Sequence, residues 1–305
     1  MNFWLRDLMQ HAQGRLIDRL ARWSAHSAYR QRWRAAQLLT GISFDLLRLR
    51  RGHVETALRE RLGISASAAV QQARDVYQHF FLNALEMASI PYLQREELLA
   101  RIEARGLDHL RAALDRGRGC IILSGHYGLW EMVPPWMSYH GFPMTVVVRR
   151  QNNPHVDEWM EFMRQAHGPK TTDSGFTLRQ ILRALKNGES LGLMSDQDAG
   201  TKGLFVNFLG KEASTVVGPA QIALKTGSPI VPLCLHPQHP HPHQLEICAP
   251  IFPDRYADDL EGQIRITQAY TDILAEWVRR RPEQWFWLHR RWKTRPTPQQ
   301  DESPA

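Results

Sequence analysis

The spacing of apolar side chains changes along the chain. Up to about residue 95 they recur at a helical period. Ser65 is a typical N-cap residue for a helix from about Ser67 to Ser89, which Pro91 ends. This first portion is therefore predicted to be helical.

Beyond this portion, short apolar runs of strand length alternate with helical patterns. The runs are Cys120–Leu123, Thr145–Val148, Leu191–Met194, Ile230–Leu235 and Leu245–Cys248. The helical patterns are Leu107–Arg116, Asp157–Ala166, Leu178–Lys186, Pro219–Lys225 and Gly262–Arg280. Strands that alternate with helices predict an α/β fold with a central, mostly parallel sheet flanked by helices. We expect one domain over residues 1–296, with a helical portion (1–95) and an α/β core (96–296), followed by a disordered polar tail (297–305).

The first helix is amphipathic. Its apolar face consists of Leu5, Leu8, Ala12, Leu16, Leu20 and Trp23, and its polar face carries Arg6, Asp7, Asp18 and Arg22. Periodicity fits packing on the protein's own core and binding to a membrane surface equally well. Three aromatic residues, Phe3, Trp4 and Trp23, and the arginine-rich stretch 30–51 favour the membrane. The segment has no cleavable signal pattern, and no window holds the roughly 20 apolar residues that a spanning helix needs.

Charge and cysteine content narrow the classes of partner and site. The chain has 38 Lys and Arg against 31 Asp and Glu, a net charge of +7. This excess favours negatively charged partners such as phospholipid headgroups, phosphorylated sugars, acidic proteins or nucleic acid. The three cysteines, Cys120, Cys234 and Cys248, form no CxxC pair. Neither a disulfide framework nor a zinc knuckle is therefore predicted.

A histidine and a carboxylate follow the first buried strand, in the stretch SGHYGLWE. His126 and Glu131 are five residues apart, roughly 140° around a regular helix, so they can pair only if a helix begins between them. A turn through Gly125 and Gly128 and a helix from about Leu129 would allow this. A carboxylate on one imidazole nitrogen makes the other nitrogen a better base towards a hydroxyl. On spacing alone, an ordinary structural hydrogen bond is the more frequent explanation.

Three other patterns suggest different chemistry. Residues 188–192 match the hydrolase motif G-x-S-x-G, but a helix precedes them and a strand follows, the reverse of what that motif needs. A histidine-rich tract over residues 236–243 can bind metal, although its prolines favour an exposed loop between strands. The basic and aromatic cluster 289–293 is of a kind that binds nucleic acid.

Four ordered blocks resemble the bacterial lipid A late acyltransferases, the lauroyl and myristoyl transferase family of the lysophospholipid acyltransferase superfamily. The first is the HxxxxE stretch itself. The second is VVVRRQNNPHVDEWM (Val146–Met160), similar to Y-R-P-x-x-N-P-x-x-D. The third is SDQDAGTKGLFVNFLGKEASTVVGPAQIALKTGSPIVP (Ser195–Pro232), similar to D-Q-D-x-G…F-V-x-F-F-G…G…A…G-x-x-V-V-P. The fourth is PEQWFWLHRRWKTRP (Pro282–Pro296), similar to P-E-Q-Y-x-W-x-H-R-R-F-K-T-R-P, and the likeness extends from about Leu107 to Pro296.

The chain departs from this family in two places. Members usually begin with a strongly apolar membrane helix, whereas this N-terminus is amphipathic and charged. Arg150 stands where the motif arginine is usually followed by proline. The first departure concerns how the protein attaches to a membrane, and the second concerns the conformation of the turn after Arg149.

The resemblance implies an HxxxxE-type acyltransferase. His126 would take the proton of an acceptor hydroxyl, Glu131 would orient the ring, and Arg149 would stabilise the developing oxyanion or hold an acceptor phosphate. Neither a metal nor a cofactor is expected beyond the acyl thioester co-substrate. The residues implied to bind substrate are Asn153, Asp196, Asp198, Lys202, Arg290 and Arg291. Asp196 and Asp198 suit a cap on the next turn equally well.

The implied reaction transfers a fatty acyl group from acyl carrier protein or coenzyme A to a hydroxyl of a lipid A precursor or related glycolipid. Acyl carrier protein is the expected donor, an anionic membrane surface is an expected contact, and nucleic acid is not expected. We expect peripheral or monotopic attachment at the cytoplasmic face of the inner membrane. One alternative is O- or N-acylation of a lysophospholipid or another lipid. A second is a non-catalytic membrane-binding module, against which the joint presence of His126, Glu131 and Arg149 argues.

Overall fold

The computed structural model of the protein describes residues 3–173 and 178–296, and the side chains within them except those of residues 3–8, 173 and 178. The predicted apolar and charged side chains at positions 3–8 and the predicted tail 297–305 lie outside the described residues.

The helices of the described chain come first in sequence and then alternate with strands. They are α1 (Phe3–His26), α2 (Tyr29–Thr40), α3 (Arg51–Leu62), α4 (Ala66–Ala88), α5 (Arg95–Ala100), α6 (Leu107–Leu114), α7 (Val133–Tyr139), α8 (Pro154–Gln165), α9 (Leu178–Lys186), α10 (Gly218–Thr226) and α11 (Leu260–Arg280). A π-helical turn, Gly41–Leu46, follows α2 directly.

The strands within the described residues form a seven-stranded sheet and a separate hairpin. They are β1 (Ile102–Arg105), β2 (Cys120–Ser124), β3 (Met144–Val148), β4 (Lys170–Asp173), β5 (Ser190–Met194), β6 (Leu204–Phe208), β7 (Lys211–Thr215), β8 (Ile230–His236) and β9 (His243–Ile247). The order in the sheet is β1-β9-β8-β2-β5-β3-β4, and β8 with β9 is its antiparallel pair. The hairpin is β6 with β7. The predicted α/β fold with a mostly parallel sheet and a helical N-terminal portion is confirmed.

The strongly apolar elements lie where the pattern predicted them. The side chain of Ser65 accepts a hydrogen bond from the backbone N–H of Ala68, so the predicted cap of α4 is present. Three elements escaped prediction: the two edge strands β1 and β4, and the β6–β7 hairpin. Both edge strands are largely polar, IEAR and KTTD, so they lack the apolar run that marked the central strands.

Helix α1 packs against α4 and α8 through small residues. Gly14, Ala21 and Ser24 are buried, and Ser24 donates its hydroxyl to the carbonyl of Leu85 at 2.7 Å. Leu16 is 57% exposed and lies on the opposite, apolar face, together with Leu20 and Trp23. The helix therefore packs on the protein's core and still turns its apolar side chains towards solvent.

The C-terminal segment after α11 packs against the loop that follows β2. Tyr127 forms an antiparallel bridge with Trp285, and the backbone N–H of Phe286 donates to the carbonyl of His126 at 3.0 Å. Trp285 and Trp287 are almost fully buried among side chains of α4 and α11. The histidine loop is thus held between the sheet and the end of the chain.

Candidate active site

Parallel strands bring the candidate histidine and one aspartate to the same edge of the sheet. β2 and β5 are neighbours, with Ser124 opposite Met194 at their carboxyl ends. His126 and Asp196 each follow two residues after their strand ends. Polar residues at the carboxyl ends of such strands meet in a crevice, the usual place for a ligand in this fold class.

Asp196 holds both the ring and the backbone of His126. Nδ1 of His126 lies 2.8 Å from Oδ1 of Asp196, and the backbone N–H of His126 donates to Oδ2 at 2.7 Å. A carboxylate accepts only, so the ring proton is on Nδ1 and Nε2 carries the free lone pair. The imidazole is 27% exposed and the carboxylate 2%, so only the histidine is accessible to a substrate.

Glycine at position 125 makes room for this contact. A β-carbon on Gly125 would lie 3.1 Å from Oδ2 of Asp196, closer than side chains normally approach. Gly128 has φ +59°, and a β-carbon there would lie 2.1 Å from the carbonyl oxygen of Leu235. The two glycines of SGHYGLWE therefore allow the loop to pack against the sheet without steric clashes.

The buried carboxylate has a third donor, the indole of Trp285, whose Nε1 lies 2.9 Å from Oδ2 of Asp196. Burial alone would raise the pKa of Asp196, but the positive charge on His126 and the hydrogen bonds from His126 and Trp285 lower that pKa to about 2. Burial alone would lower the pKa of His126, yet the Asp196 carboxylate outweighs burial and raises it above its ordinary value. Asp196 therefore stays ionised at neutral pH.

Glu131 does not hold the ring as the sequence predicted. Its two carboxylate oxygens share the Nε–H of Arg164, at 3.1 and 3.2 Å, and Oε1 also accepts from Nη2 of the same side chain at 2.7 Å. This largely buried ion pair links the 3₁₀ turn at the start of α7 to α8. The predicted turn and helix after His126 are present, but the orienting carboxylate comes from the adjacent strand, β5.

Arg149 follows β3, which is not adjacent to β2. β5 lies between the two strands, so Arg149 and His126 do not follow neighbouring strands. Strands two positions apart are separated by about 10 Å, a distance that the extended guanidinium side chain can span in large part. Arg149 lies at the same edge of the sheet and is exposed.

Asp198 caps the turn after Asp196. It accepts the backbone N–H of Gly200 at 3.2 Å and the hydroxyl of Thr294 at 2.9 Å. Of the two roles left open for Asp198, the cap is the one seen, and it also fastens the C-terminal segment. Lys202 lies in that turn and is exposed.

Asn153 is the N-cap of α8. Its Oδ1 accepts the backbone N–H of His155 at 3.0 Å, and its Nδ2 donates to Oε1 of Gln13 on α1 at 2.8 Å. The side chain predicted to bind substrate therefore joins α8 to the first helix.

The two arginines of the C-terminal HRR motif differ in position. Arg290 is exposed. Arg291 is 1% exposed and donates to the carbonyl of Ser214 and the hydroxyl of Thr215 on β7, with its guanidinium carbon 5.5 Å from the Phe208 ring centre. Burial there does not fit the predicted substrate-binding role of Arg291, which instead supports the fold.

The sequence profile described as "Bacterial lipid A biosynthesis acyltransferase" matches residues 47–294, the greater part of the chain. The chain belongs to this family. The matched region includes His126, Asp196 and Trp285, and the family resemblance found in the four sequence blocks is confirmed.

Three relatives are about one quarter identical to this chain. The phosphatidylinositol mannoside acyltransferase of Mycolicibacterium smegmatis is 26% identical over 68% of this chain and 67% of its own length. The lipid A biosynthesis palmitoleoyltransferase of Escherichia coli is 27% identical over 64% of this chain and 62% of its own length. The lipid A biosynthesis acyltransferase of Haemophilus influenzae is 25% identical over 92% of this chain and 81% of its own length.

Two residues of the site escaped the sequence reasoning. Arg164, the partner of Glu131, lies inside a helix that showed only its apolar period. Trp285 was part of a recognised motif, but no local pattern indicates that its indole reaches a carboxylate 89 positions away. Both contacts join residues that are far apart in sequence.

Proposed function

We propose that the protein transfers a fatty acyl group from an acyl thioester to a hydroxyl of a lipid A precursor or a related glycolipid. The observation that carries this proposal is the imidazole of His126, fixed through Nδ1 by a buried carboxylate with its other nitrogen free. Relatives named for lipid A and for phosphatidylinositol mannoside support a glycolipid acceptor.

The reaction begins when Nε2 of His126 takes the proton of the acceptor hydroxyl. The oxygen attacks the thioester carbonyl carbon, and Asp196 stabilises the imidazolium that results. The carbon–sulfur bond of the tetrahedral intermediate then breaks. The thiolate leaves with the proton from Nε2, which restores the neutral ring.

Negative charge develops on the thioester oxygen and needs a fixed donor. Arg149 serves this purpose in our proposal, because it lies at the carboxyl edge of β3 and its guanidinium is exposed. The Glu131–Arg164 pair holds α8 against the histidine loop, which keeps the Arg149 segment between β3 and α8 near the site. We assign Glu131 this positioning role.

The acyl donor is proposed to be acyl carrier protein, with acyl-coenzyme A as the alternative. Exposed arginines near α2, among them Arg30, Arg34 and Arg48, give this side of the protein a positive charge that suits an acidic carrier or an anionic membrane.

A peripheral position on the inner membrane, at its cytoplasmic face, completes the proposal. None of the described helices is long and apolar enough to cross a bilayer. Exposed apolar side chains nevertheless gather near the N-terminal helices, namely Leu16, Leu20, Trp23, Leu38, Ile42, Leu46, Leu47 and Leu49. Apolar insertion combined with arginine attraction is how an amphipathic helix binds an anionic surface.

Acyl transfer by the purified full-length protein tests the proposal. Acyl carrier protein and coenzyme A donors are each offered with a lipid A precursor, a phosphatidylinositol mannoside and a lysophospholipid. We expect product with a glycolipid acceptor and its loss in His126→Ala, with His140→Ala as the control. Product with the lysophospholipid alone would favour the alternative acceptor. Vesicle binding without transfer in any combination would favour a non-catalytic membrane module.

A further inference from the structure

Four side chains able to bind a metal share one face of the β8–β9 ribbon, away from the carboxylate of the active site. Cys234 and His236 alternate along β8, and Glu246 on β9 lies opposite Cys234 in register. Cys248 follows two positions later, and its backbone N–H continues the ladder by donating to Pro232 at 2.9 Å. Side chains two apart on a strand project from the same face.

The ligand atoms of three of these residues converge. Nε2 of His236 lies 2.7 Å from Oε2 of Glu246 and 3.1 Å from Sγ of Cys234, and the three atoms all lie within 4.8 Å of one another. Sγ of Cys248 lies 3.8 Å from Oε1 of Glu246. Ligand bonds of about 2.0–2.3 Å place neighbouring donor atoms of a tetrahedral zinc site about 3–4 Å apart. Cys234, His236 and Glu246 therefore need only small side-chain rotations to share one ion, whereas Cys248 lies outside this convergent set.

We propose that Cys234, His236 and Glu246 form a zinc site, with water as the fourth ligand. One thiolate, one imidazole and one carboxylate are donor types that a borderline-soft, tetrahedral ion takes. The Cys234 thiol loses its proton to water on binding, and the His236 ring keeps one proton, which moves from Nε2 to Nδ1. The sequence predicted no metal because the ligands are C-x-H on one strand and a glutamate on the next, and not CxxC.

The charges of the site nearly balance. The Cys234 thiolate and the Glu246 carboxylate carry two negative charges, and Zn²⁺ together with Arg280, 3.0 Å from Oε2 of Glu246, carries three positive charges, which leaves +1. If Glu246 binds the ion through Oε2, its Oε1 remains for Arg280.

A second convergent set, Glu86 with His241 and His243, would have a larger excess of positive charge. His243 is fully buried and lies 3.2 Å from Glu86, so this end of the histidine tract packs against α4 and does not form the exposed loop expected from its prolines. Arg32 and Arg101 also face Glu86, at 3.9 and 3.3 Å. A dication there would leave a net charge of +3 in a buried site, which argues against a metal.

The second ring nitrogen of His236 already has a hydrogen-bond partner outside the set of ligands. The hydroxyl of Tyr127 lies 3.2 Å from Nδ1 of His236. Metal-binding histidines commonly hold such a partner with their second nitrogen. Because Tyr127 is next to His126, a bound ion would also steady the loop that carries the candidate base.

Cobalt absorption gives a readout independent of acyl transfer. Full-length protein is treated with chelator and reductant and then titrated with Co²⁺, which reports thiolate ligands by a near-ultraviolet charge-transfer band. We expect one equivalent to produce the band, Zn²⁺ to displace it, and Zn²⁺ to raise the thermal unfolding temperature. Cys234→Ser should weaken binding by more than about 100-fold, and Tyr127→Phe by about tenfold, as loss of an outer partner does.

Cys120→Ser is the matched control, since Cys120 is buried on β2 with its sulfur 3.3 Å from Ser190 Oγ. It should leave the cobalt band unchanged. Glu246→Gln, at a partly exposed position on the ribbon, tests the site if Cys234→Ser fails to fold. Absence of the band in the wild-type protein, or an undiminished band in folded Cys234→Ser or Glu246→Gln, would overturn the proposal. So would binding of Co²⁺ without the thiolate band and its loss in His243→Gln, because the ion would then lie at the Glu86 cluster.

Discussion

The indole N–H of Trp285 donates to Oδ2 of Asp196 at 2.9 Å. The same oxygen accepts the backbone N–H of His126. One buried carboxylate oxygen therefore accepts hydrogen bonds from both the C-terminal segment and the histidine loop. The WFWLHRR segment therefore completes the carboxylate's hydrogen bonds. A chain cut before this segment would leave a buried charge short of a donor, which is costly.

Replacing Trp285 with Phe removes one donor from a buried carboxylate. We expect the free energy of unfolding to fall by about 2–4 kcal/mol, from the lost charged hydrogen bond and the smaller ring, and the transfer rate to fall with it. Urea unfolding and initial rates measure the two effects. Trp287→Phe is the control, since that indole donates to the carbonyl of Pro282 and not to Asp196. Equal losses of activity in the two variants would show that the hydrogen bond to Asp196 contributes no more to activity than the one to Pro282.

Asp196→Asn should alter the pH dependence of transfer. In the wild type the carboxylate raises the pKa of His126, so the neutral base forms, and kcat/KM rises, only as pH passes through that raised pKa. The amide removes the negative charge, so the inflection should move to lower pH. The plateau should also fall by about 10²-fold or more, because the imidazolium of the transition state loses its partner.

The pH profile of kcat/KM for both proteins checks this prediction, with circular dichroism to establish folding. An inflection that stays in place in folded Asp196→Asn would show that another group sets it. Asp198→Asn is a suitable comparison, since that carboxylate caps a turn and holds Thr294.

The Glu131–Arg164 pair should behave as a unit. Each single change, Glu131→Gln or Arg164→Met, leaves the partner largely buried and unpaired, and we expect a loss of about 3 kcal/mol of stability. The double variant should lose less than the sum of the two. Denaturant unfolding of the four proteins gives the coupling energy directly. Strict additivity would contradict the ion pair, and a kcat loss in Glu131→Gln far beyond its effect on folding would restore Glu131 to the chemistry.

Local patterns predicted the elements but not the pairing of the site. The central strands were apparent because their buried residues form apolar runs, and the cap at Ser65 depends on neighbours in sequence. The partner of His126 is 70 positions away, and its identity depends on β5 lying beside β2. Glu131, the carboxylate of the HxxxxE motif, is nearer to His126 in sequence, but it forms an ion pair with Arg164 on α8.

The exposed apolar face of α1 should contribute to membrane binding. Changing Leu16 and Leu20 together to Ser should lower partitioning to anionic vesicles by about tenfold or more, since two partly exposed leucines lose their insertion energy. Sedimentation with anionic and with neutral vesicles measures the effect. Leu260→Ser is the control, at a leucine that is 61% exposed on α11. Unchanged partitioning would place the membrane surface elsewhere on the protein.

Arg149→Lys separates the two roles proposed for Arg149. If the guanidinium stabilises the oxyanion, a point ammonium cannot reproduce its planar fork, so kcat should fall by about tenfold or more while the acceptor KM stays nearly constant. If it holds an acceptor phosphate, the acceptor KM should rise, and the defect should shrink for an acceptor that lacks the phosphate. We expect the first result, since Arg149 lies at the carboxyl edge of the sheet that also carries His126.

Steady-state kinetics on a phosphorylated and a dephosphorylated glycolipid decide between the two roles, because a different constant changes in each. Arg150→Lys provides the matched control, an exposed arginine at the next position where the family usually has proline. One strand, β5, separates Arg149 from the histidine, so the oxyanion role needs the side chain to reach across it. Full activity of Arg149→Lys on both acceptors would show that the side chain does not reach, and that the oxyanion donor is another group.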